Sequence, residues 1–482
     1  RLTRSRPPPS RCHERQSTDS FFRRMIRRTF RPHGLSAETE RPNIVFLFAD
    51  DLGYGDVGCY GHPYARTPNI DRLAEQGTRF EQFYVTGITC CPSRTGFMTG
   101  KFPASFARYP ASYGFGDRVT VTQLLKKRGY AVGHFGKWHI GPNRENGTYG
   151  IDQIDSGGDH KRRAGKANRD TGLYSAAITF IKANRGKPFY VNVWGHISHY
   201  PVNPPQRFAD RFKDVVVNET DFGPTMRGKF DLVRKLGKDV NISMRNYLGD
   251  VSSLDDEVGR ILATLKNLGL EDNTIVVFSS DHGPAPVSVD EKAQSKKNYN
   301  ETFKANMLGS PGPFRGGKHT QWEGGVRAPF IVRWPARIPA GRLDRDSVIS
   351  GIDWLPTLCG LTGIGLEGID CDGEDVSDAW LGRKAHMRNK PLLWRASNPK
   401  AAVAIRWKQW KMHTPRKGKG DLELYDVTRD PLEGRNLAAE KPGVVAELKK
   451  LIDAWTATLP GSYEKPDKAG NKKKRKNKRK AQ

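Results

Sequence analysis

Three aspartates in this chain stand where apolar runs stop. Asn43-Ile44-Val45-Phe46-Leu47-Phe48 leads into Asp50-Asp51, and Thr274-Ile275-Val276-Val277-Phe278 leads through two serines into Asp281-His282-Gly283. Short, continuously apolar runs are expected of strands buried on both faces of a parallel sheet. Ligands of open α/β sheets gather at the carboxyl ends of such strands. Asp50-Asp51 alone would read as a turn pair, but Asp281 ends its own strand in the same kind of position. Adjacent carboxylates repel unless a cation lies between them, and three at one sheet edge favour a hard divalent ion with oxygen ligands. A second constellation is Cys90-Cys91-Pro92-Ser93-Arg94. Pro92 can start a helix, leaving amides free to face an anion, and Arg94 adds a fork-shaped positive charge. A thiol in that place is either a nucleophile of lowered pKa or a small buried residue.

The elements that must hold these groups alternate along the chain. Besides the two runs above, Ala131–Phe135 and Phe189–Val193 read as strands. Thr67-Pro68-Asn69 is expected to cap a short helix through Gln76, with Gly77 as its stop. Residues 244–268 form the clearest helix, with Val251, Leu254, Val258, Ile261, Leu262, Leu265 and Leu268 on one face and Gly269 closing it. Alternating strands and helices predict an α/β fold with a large, mostly parallel central sheet flanked by helices. From about residue 390, short apolar stretches separated by turns predict a small antiparallel sheet, followed by a helix at about 442–457. The expected organisation is a basic tail over 1–40, an α/β catalytic domain over 41–385, a small α+β subdomain over 386–462 and a Lys-rich tail over 463–482.

With 482 residues, 36% hydrophobic and 27% charged, the chain can bury a sizeable core. Its formal net charge of +28 is concentrated at the ends, where residues 1–33 hold ten Arg and residues 465–482 hold ten Lys or Arg. Such ends read as solvated, disordered tails or as attractors of polyanions. Among the six cysteines no Cys-x-x-Cys spacing occurs, which argues against a structural zinc site. Cys359 and Cys371 are near enough in sequence for a disulfide, or are two buried thiols. No apolar run of the length of a membrane span is present. The basic start lacks the apolar core of a signal peptide, and the chain begins with Arg.

Cys90-Cys91-Pro92-Ser93-Arg94, continued to Met98-Thr99-Gly100, resembles the type I sulfatase signature, in which the first Cys is oxidised by a separate enzyme to Cα-formylglycine. Other segments agree in order. Residues 42–56 resemble that family's opening strand and metal aspartates. Lys137-Trp138-His139 resembles its Lys-x-His element, and His196-Ile197-Ser198-His199-Tyr200-Pro201 its segment with a substrate-binding His. Ser280-Asp281-His282-Gly283 resembles the second metal segment. Gly317-Lys318 with Glu323-Gly324-Gly325-Val326-Arg327 resembles the element bearing the last catalytic Lys. Leu424-Tyr425-Asp426, Asp430-Pro431 and Asn436-Leu437 echo its C-terminal domain, so the likeness spans roughly residues 41–460.

The resemblance implies the alkaline-phosphatase-like fold and hydrolysis of sulfate esters. It implies a formylglycine hydrate at Cys90 as nucleophile and one divalent ion, Ca2+ or alternatively Mg2+, held by Asp50, Asp51, Asp281, His282 and the modified Cys90. Where many members have Asn, this chain has His282, as in the iduronate sulfatases, and nitrogen suits calcium less than an amide oxygen. Arg94 and Lys137 are expected to neutralise charge around the hydrate and the sulfate. Lys318 and His199 are expected to bind sulfate oxygens and protonate the leaving alcohol, and His139 to take the proton that expels sulfate. The likeness to carbohydrate and N-acetylgalactosamine-6-sulfatase members implies a sulfated glycan substrate, a formylglycine-generating enzyme as partner, no specific nucleic acid, and a periplasmic or extracellular location. The alternatives are a phosphomonoester or phosphonate hydrolase on the same fold, and a non-catalytic polyanion-binding protein.

Overall fold

Asn43–Ala49 forms the first strand, β1, and all seven of its residues are buried, as a continuous apolar run requires. The computed structural model describes residues 41–156, 168–287, 300–396, 401–415 and 420–461; both tails lie outside them. The other strands are β2 (Thr78–Phe80), β3 (Phe83–Tyr84), β4 (Ala131–Gly136), β5 (Gln153–Asp155), β6 (Phe189–Trp194), β7 (Thr274–Ser280), β8 (Phe330–Arg333), β9 (Arg342–Asp344), β10 (Ile349–Ser350), β11 (Leu392–Arg395), β12 (Val403–Trp407), β13 (Trp410–His413) and β14 (Glu423–Asp426). The large sheet has the order β5-β4-β6-β1-β7-β8-β2-β9. It is parallel except where β8 runs antiparallel to both β7 and β2. A short β3–β10 pair stands apart, and β11–β14 form a separate antiparallel sheet.

Register explains the convergence of the aspartates. Ala49 pairs with Ser280 at the ends of β1 and β7, so Asp50 and Asp281 are the first residues beyond two adjacent parallel strands. Both expected runs continue one or two residues further than their apolar stretch, because the ladder holds until the chain turns at these acids.

Alternate residues of β1 serve opposite faces. Ile44, Phe46 and Phe48 join one core with Phe97 and Trp354, whereas Val45 and Leu47 join another with Val251, Leu254 and Val258. Each fully buried side chain of this size contributes roughly 1.5–3 kcal/mol.

Five helices matter for the site: α1 (Pro68–Glu75), α2 (Cys90–Thr99), α3 (Thr171–Ala183), α4 (Val240–Asn267) and α5 (Glu323–Val326); α6 (Pro442–Ala457) follows the small sheet. The 244–268 helix begins a turn earlier than its apolar spacing suggests, because Asp239 caps it by accepting from the Ile242 amide. Gly269, at φ 67°, closes it as expected. Thr67 precedes α1 but does not cap it; its hydroxyl instead accepts from the Gly58 amide and donates to Asp71. α2 starts at Cys90 rather than at Pro92. Pro92 falls at the third position, still inside the turn whose amides have no helical partner, so its missing N–H costs nothing. Cys359 and Cys371 are free thiols, not a disulfide.

Candidate active site

The ten residues from Cys90 to Thr99 place the thiol at the start of α2 and bury Arg94 one turn on. Cys90 Sγ lies 3.1 Å from Lys137 Nζ, 3.4 Å from His282 Nε2, 3.5 Å from Asp50 Oδ1 and 3.8 Å from Lys318 Nζ. Lys137 follows β4 and donates to Asp50 Oδ2 at 2.5 Å, while Lys318 donates to Asp51 Oδ1 at 2.6 Å. Arg94 takes Asp281 Oδ2 at 2.9 Å and lies 3.7 Å from Asp50 Oδ1, with its guanidinium over the rings of Phe48 and Trp194. Three cations thus face three aspartates, which lessens the mutual repulsion expected of Asp50 and Asp51.

The backbone around the acids is tied down on both sides. The Asp50 amide donates to Ile197 O and the Ser198 amide to Asp50 O, joining β1 to the segment that carries His199. Asp51 sits at φ 64°, a conformation that Asp tolerates better than most residues, and its amide donates to Asp281 Oδ1 at 3.1 Å. His199 Nε2 is 3.9 Å from Asp51 Oδ2.

These neighbours set the ionisation of the groups. Burial raises the Asp50 carboxyl, but Lys137, His199, Arg94 and Lys318 outweigh it and hold the group well below the usual range. Burial works against the charge on Lys137 and Lys318, and the aspartates more than restore it, leaving both raised. Burial lowers His139 to about 4, helped by Lys137 and Arg94, so its ring is neutral near pH 7. Burial also lowers His199. The Cys90 thiol moves the other way: burial raises it, and Asp50 and Asp281 raise it further. A thiolate of lowered pKa is therefore not what this environment favours, despite the helix start.

The donor set fits a small cation. Ligand atoms of Asp50, Asp51, Cys90 and His282 all lie within 4.8 Å of one another, all buried. Asp51 Oδ2 is buried with no hydrogen-bond partner among the described residues, a cost that an ion would remove. Asp281 flanks the group, its Oδ1 3.3 Å from His282 Nε2. All ten site residues expected from the sequence fall in this neighbourhood, with His139 linked to it through its electrostatic coupling to Lys137, Arg94, Asp50 and His199.

Three contributors were not expected. Asp170 precedes α3 as an N-cap would, yet it caps nothing. Its carboxylate accepts from the His196 and Ile197 amides and from His196 Nδ1, holding the segment that carries His199. Its complete burial is the structural sign, and no local pattern announces it. Asp56 accepts from the Gly53 and Ser310 amides and from Tyr247, bracing the turn that follows Asp51. His319 is exposed beside Lys318 at φ 74°, its amide donating to Ile88 O.

The sulfatase family profile matches residues 42–364, the whole stretch that builds the cluster. The chain belongs to the sulfatase family. A second profile, that of the N-sulphoglucosamine sulphohydrolase C-terminal region, matches residues 316–457 of this sulfatase. Arylsulfatase A of Homo sapiens is 30% identical over 489 residues, covering 85% of this chain and 87% of the relative. An N-acetylgalactosamine-6-O-sulfatase of Bacteroides thetaiotaomicron is 28% identical, covering 86% and 93%. A solved structure in complex with its substrate D-glucosamine-2-N,6-O-disulfate shares the fold at TM-score 0.69 and 21% identity, covering 87% of this chain and 98% of the other. The sulfatase is a sulfuric ester hydrolase, and among its described residues no helix is long and apolar enough to cross a membrane.

Proposed function

We propose that this sulfatase removes sulfate from a carbohydrate ester, using a formylglycine made from Cys90 by a separate maturing enzyme and one divalent ion, Ca2+ or Mg2+. The observation that carries the reading is the position of Cys90 Sγ, between Lys137 Nζ at 3.1 Å, His282 Nε2 at 3.4 Å and Asp50 Oδ1 at 3.5 Å. Asp50, Asp51, His282 and Asp281 would hold the ion, which when bound polarises sulfate and acidifies an adjoining hydroxyl. The hydrated aldehyde supplies a nucleophilic oxygen and a second hydroxyl, which a thiol lacks.

Around that centre each side chain of the chain itself has a role. Arg94 and Lys137 are fixed positive charges aimed at the anion, preorganised by Asp281 and Asp50. Lys318, held by Asp51 and 3.8 Å from Cys90 Sγ, binds sulfate oxygens. His199, partly exposed at the rim, binds sulfate oxygens with Lys318, and its protonated form delivers a proton to the departing alcohol oxygen. His139 is neutral and its buried Nδ1 has no hydrogen-bond partner among the described residues, which suits a group that accepts a proton. A sulfated glycan is met outside the cytoplasm, so this sulfatase would work in a periplasmic or extracellular setting. The division into a catalytic domain over 41–385 and a smaller subdomain over 386–462 is part of the same reading.

The test is sulfate release from nitrophenyl sulfate and a panel of sulfated oligosaccharides, together with mass spectrometry of the Cys90 peptide. Active protein is expected to carry a Cys90 peptide lighter than its cysteine form; an unmodified peptide in fully active enzyme overturns the mechanism. Faster turnover of nitrophenyl phosphate than of any sulfate would favour a phosphoester hydrolase instead.

A further inference from the structure

Five residues past Lys318, at Glu323, the chain enters a buried ionic cluster that the proposed chemistry does not use. Lys411, on β13 of the small sheet, reaches Glu323 Oε1 at 2.7 Å and Glu433 Oε1 at 3.3 Å. His413 Nε2 contacts Glu433 Oε1 at 2.8 Å, and Glu433 Oε2 accepts from the Glu323 amide at 2.7 Å. Glu323 Oε2 accepts from Tyr84 at 2.9 Å and faces Arg327 at 3.4 Å. The side chains of Lys411, Glu323 and Glu433 are all 0% exposed.

The segment held by this cluster runs from residue 315 to 327 and includes Lys318. Gln321 Nε2 donates to Trp394 O at 2.8 Å and to Ala402 O at 2.9 Å, a second tie to the small sheet. The Trp322 and His413 rings lie 4.2 Å apart. On its other side the same segment grips the catalytic strand end: the Lys318 amide donates to Pro284 O and the Gly283 amide to Gly325 O, both at 3.0 Å. Residues 315–327 are thus a strap with Asp281-His282-Gly283 on one side and β13 on the other.

Stability alone is a poor reason to keep such a cluster. Desolvating buried charges costs about as much as their pairing returns, and apolar replacements of the same shape are often neutral or better. What a satisfied buried network does provide is a single arrangement of the backbone that carries it. Lys411 remains charged here, because burial opposes its charge but Glu323 and Glu433 restore it.

We infer that Lys411 of the small sheet and Glu433 of the turn region after β14 are positioning residues for Lys318, holding the 315–327 strap so that its ammonium meets Asp51 beside Cys90. This rests on the functional reading above, in that Lys318 is taken to bind sulfate.

A double-mutant cycle tests it. Lys411→Met, Lys318→Ala and the double variant are compared with wild type in two readouts, kcat/KM for a sulfate ester and the affinity for inorganic sulfate by calorimetry. Lys411→Met is expected to lower kcat/KM at least tenfold and weaken sulfate binding at least threefold with Lys318 present, and to change either by less than twofold in the Lys318→Ala background, since coupled residues are non-additive. Lys411→Arg is expected to recover most of the loss. Equal losses in both backgrounds, tracking only a fall in Tm, would overturn the positioning role while leaving the sulfatase reading intact. A wild type that neither turns over sulfate esters nor binds sulfate would overturn both. Should Lys411→Met not fold, Glu433→Gln replaces it in the same cycle with the same expectations.

Discussion

Lys137 and Lys318 are chemically alike and 181 positions apart, yet each is bound to a different aspartate of one pair, with Cys90 between them. That division of labour makes their removal informative. Lys318→Ala and Lys137→Ala are each expected to reduce kcat by about 10²–10³-fold, the usual cost of losing one preorganised charge at a developing anion. Steady-state kinetics on nitrophenyl sulfate checks this; losses below tenfold would remove them from the chemistry. Cys90→Ala is expected to abolish turnover with an unchanged Tm, and normal activity would refute the assignment. Much of this was legible beforehand, because a carboxylate after an apolar run and a Cys-x-Pro-Ser-Arg segment are local patterns. Asp170 was not, since its partners are the amides of His196 and Ile197, brought near by the crossover from α3 to β6.

Gly283 shows how an element constrains the site. A Cβ there would meet Gly324 O at 1.8 Å, so the end of β7 and the start of α5 can touch only through glycine. Gly283→Ala is expected to destabilise the fold by about 1–3 kcal/mol or more and to depress activity by displacing His282. Urea denaturation and turnover, measured on the same preparation, would show it, and an unaffected midpoint would mean that the strap yields freely. At the edge of the small sheet, Glu374 tests the electrostatics of a loop. Its carboxylate accepts from His386 and the amides of Asn389 and Lys390. Burial raises it, but His386 and Arg388 lower it more, to about 2, against an ordinary value of 4.5. A folded value below the unfolded one means that ionised Glu374 stabilises the fold above about pH 4.5 and that this contribution fades as pH falls toward 2. Glu374→Gln is therefore expected to lower Tm at pH 7, to lose part of that difference below about pH 4.5, and to converge on wild type only at about pH 2 or below. A Tm difference that does not vary with pH would contradict this.

The proposed ion is the ligand through which the folded chain would answer to its site. Four ligand atoms from β1, α2 and β7 close on one point, so a cation bound only in the folded state should stabilise everything that holds them together. Ca2+ at a hundredfold excess over its Kd is expected to add about 2.7 kcal/mol, read as a rise in Tm that Asp51→Asn abolishes. Prolonged chelation is expected to reduce sulfate release, and indifference to EDTA in both Tm and activity would argue against the ion. From the amino-acid order one could read four strands of the large sheet (β1, β4, β6 and β7), the small C-terminal sheet, the helices α1, α4 and α6, that the large sheet is mostly parallel, and which residue types stand at its edge, because propensity, periodicity and motif spacing act over a few neighbours. One could not read that Ala49 pairs with Ser280, that Lys137 takes Asp50 while Lys318 takes Asp51, or that Lys411 of the small sheet reaches Glu323 on the segment that carries Lys318. Those pairings join residues 87 to 267 positions apart. They depend on strand register and on how separate layers dock, which only the folded chain settles.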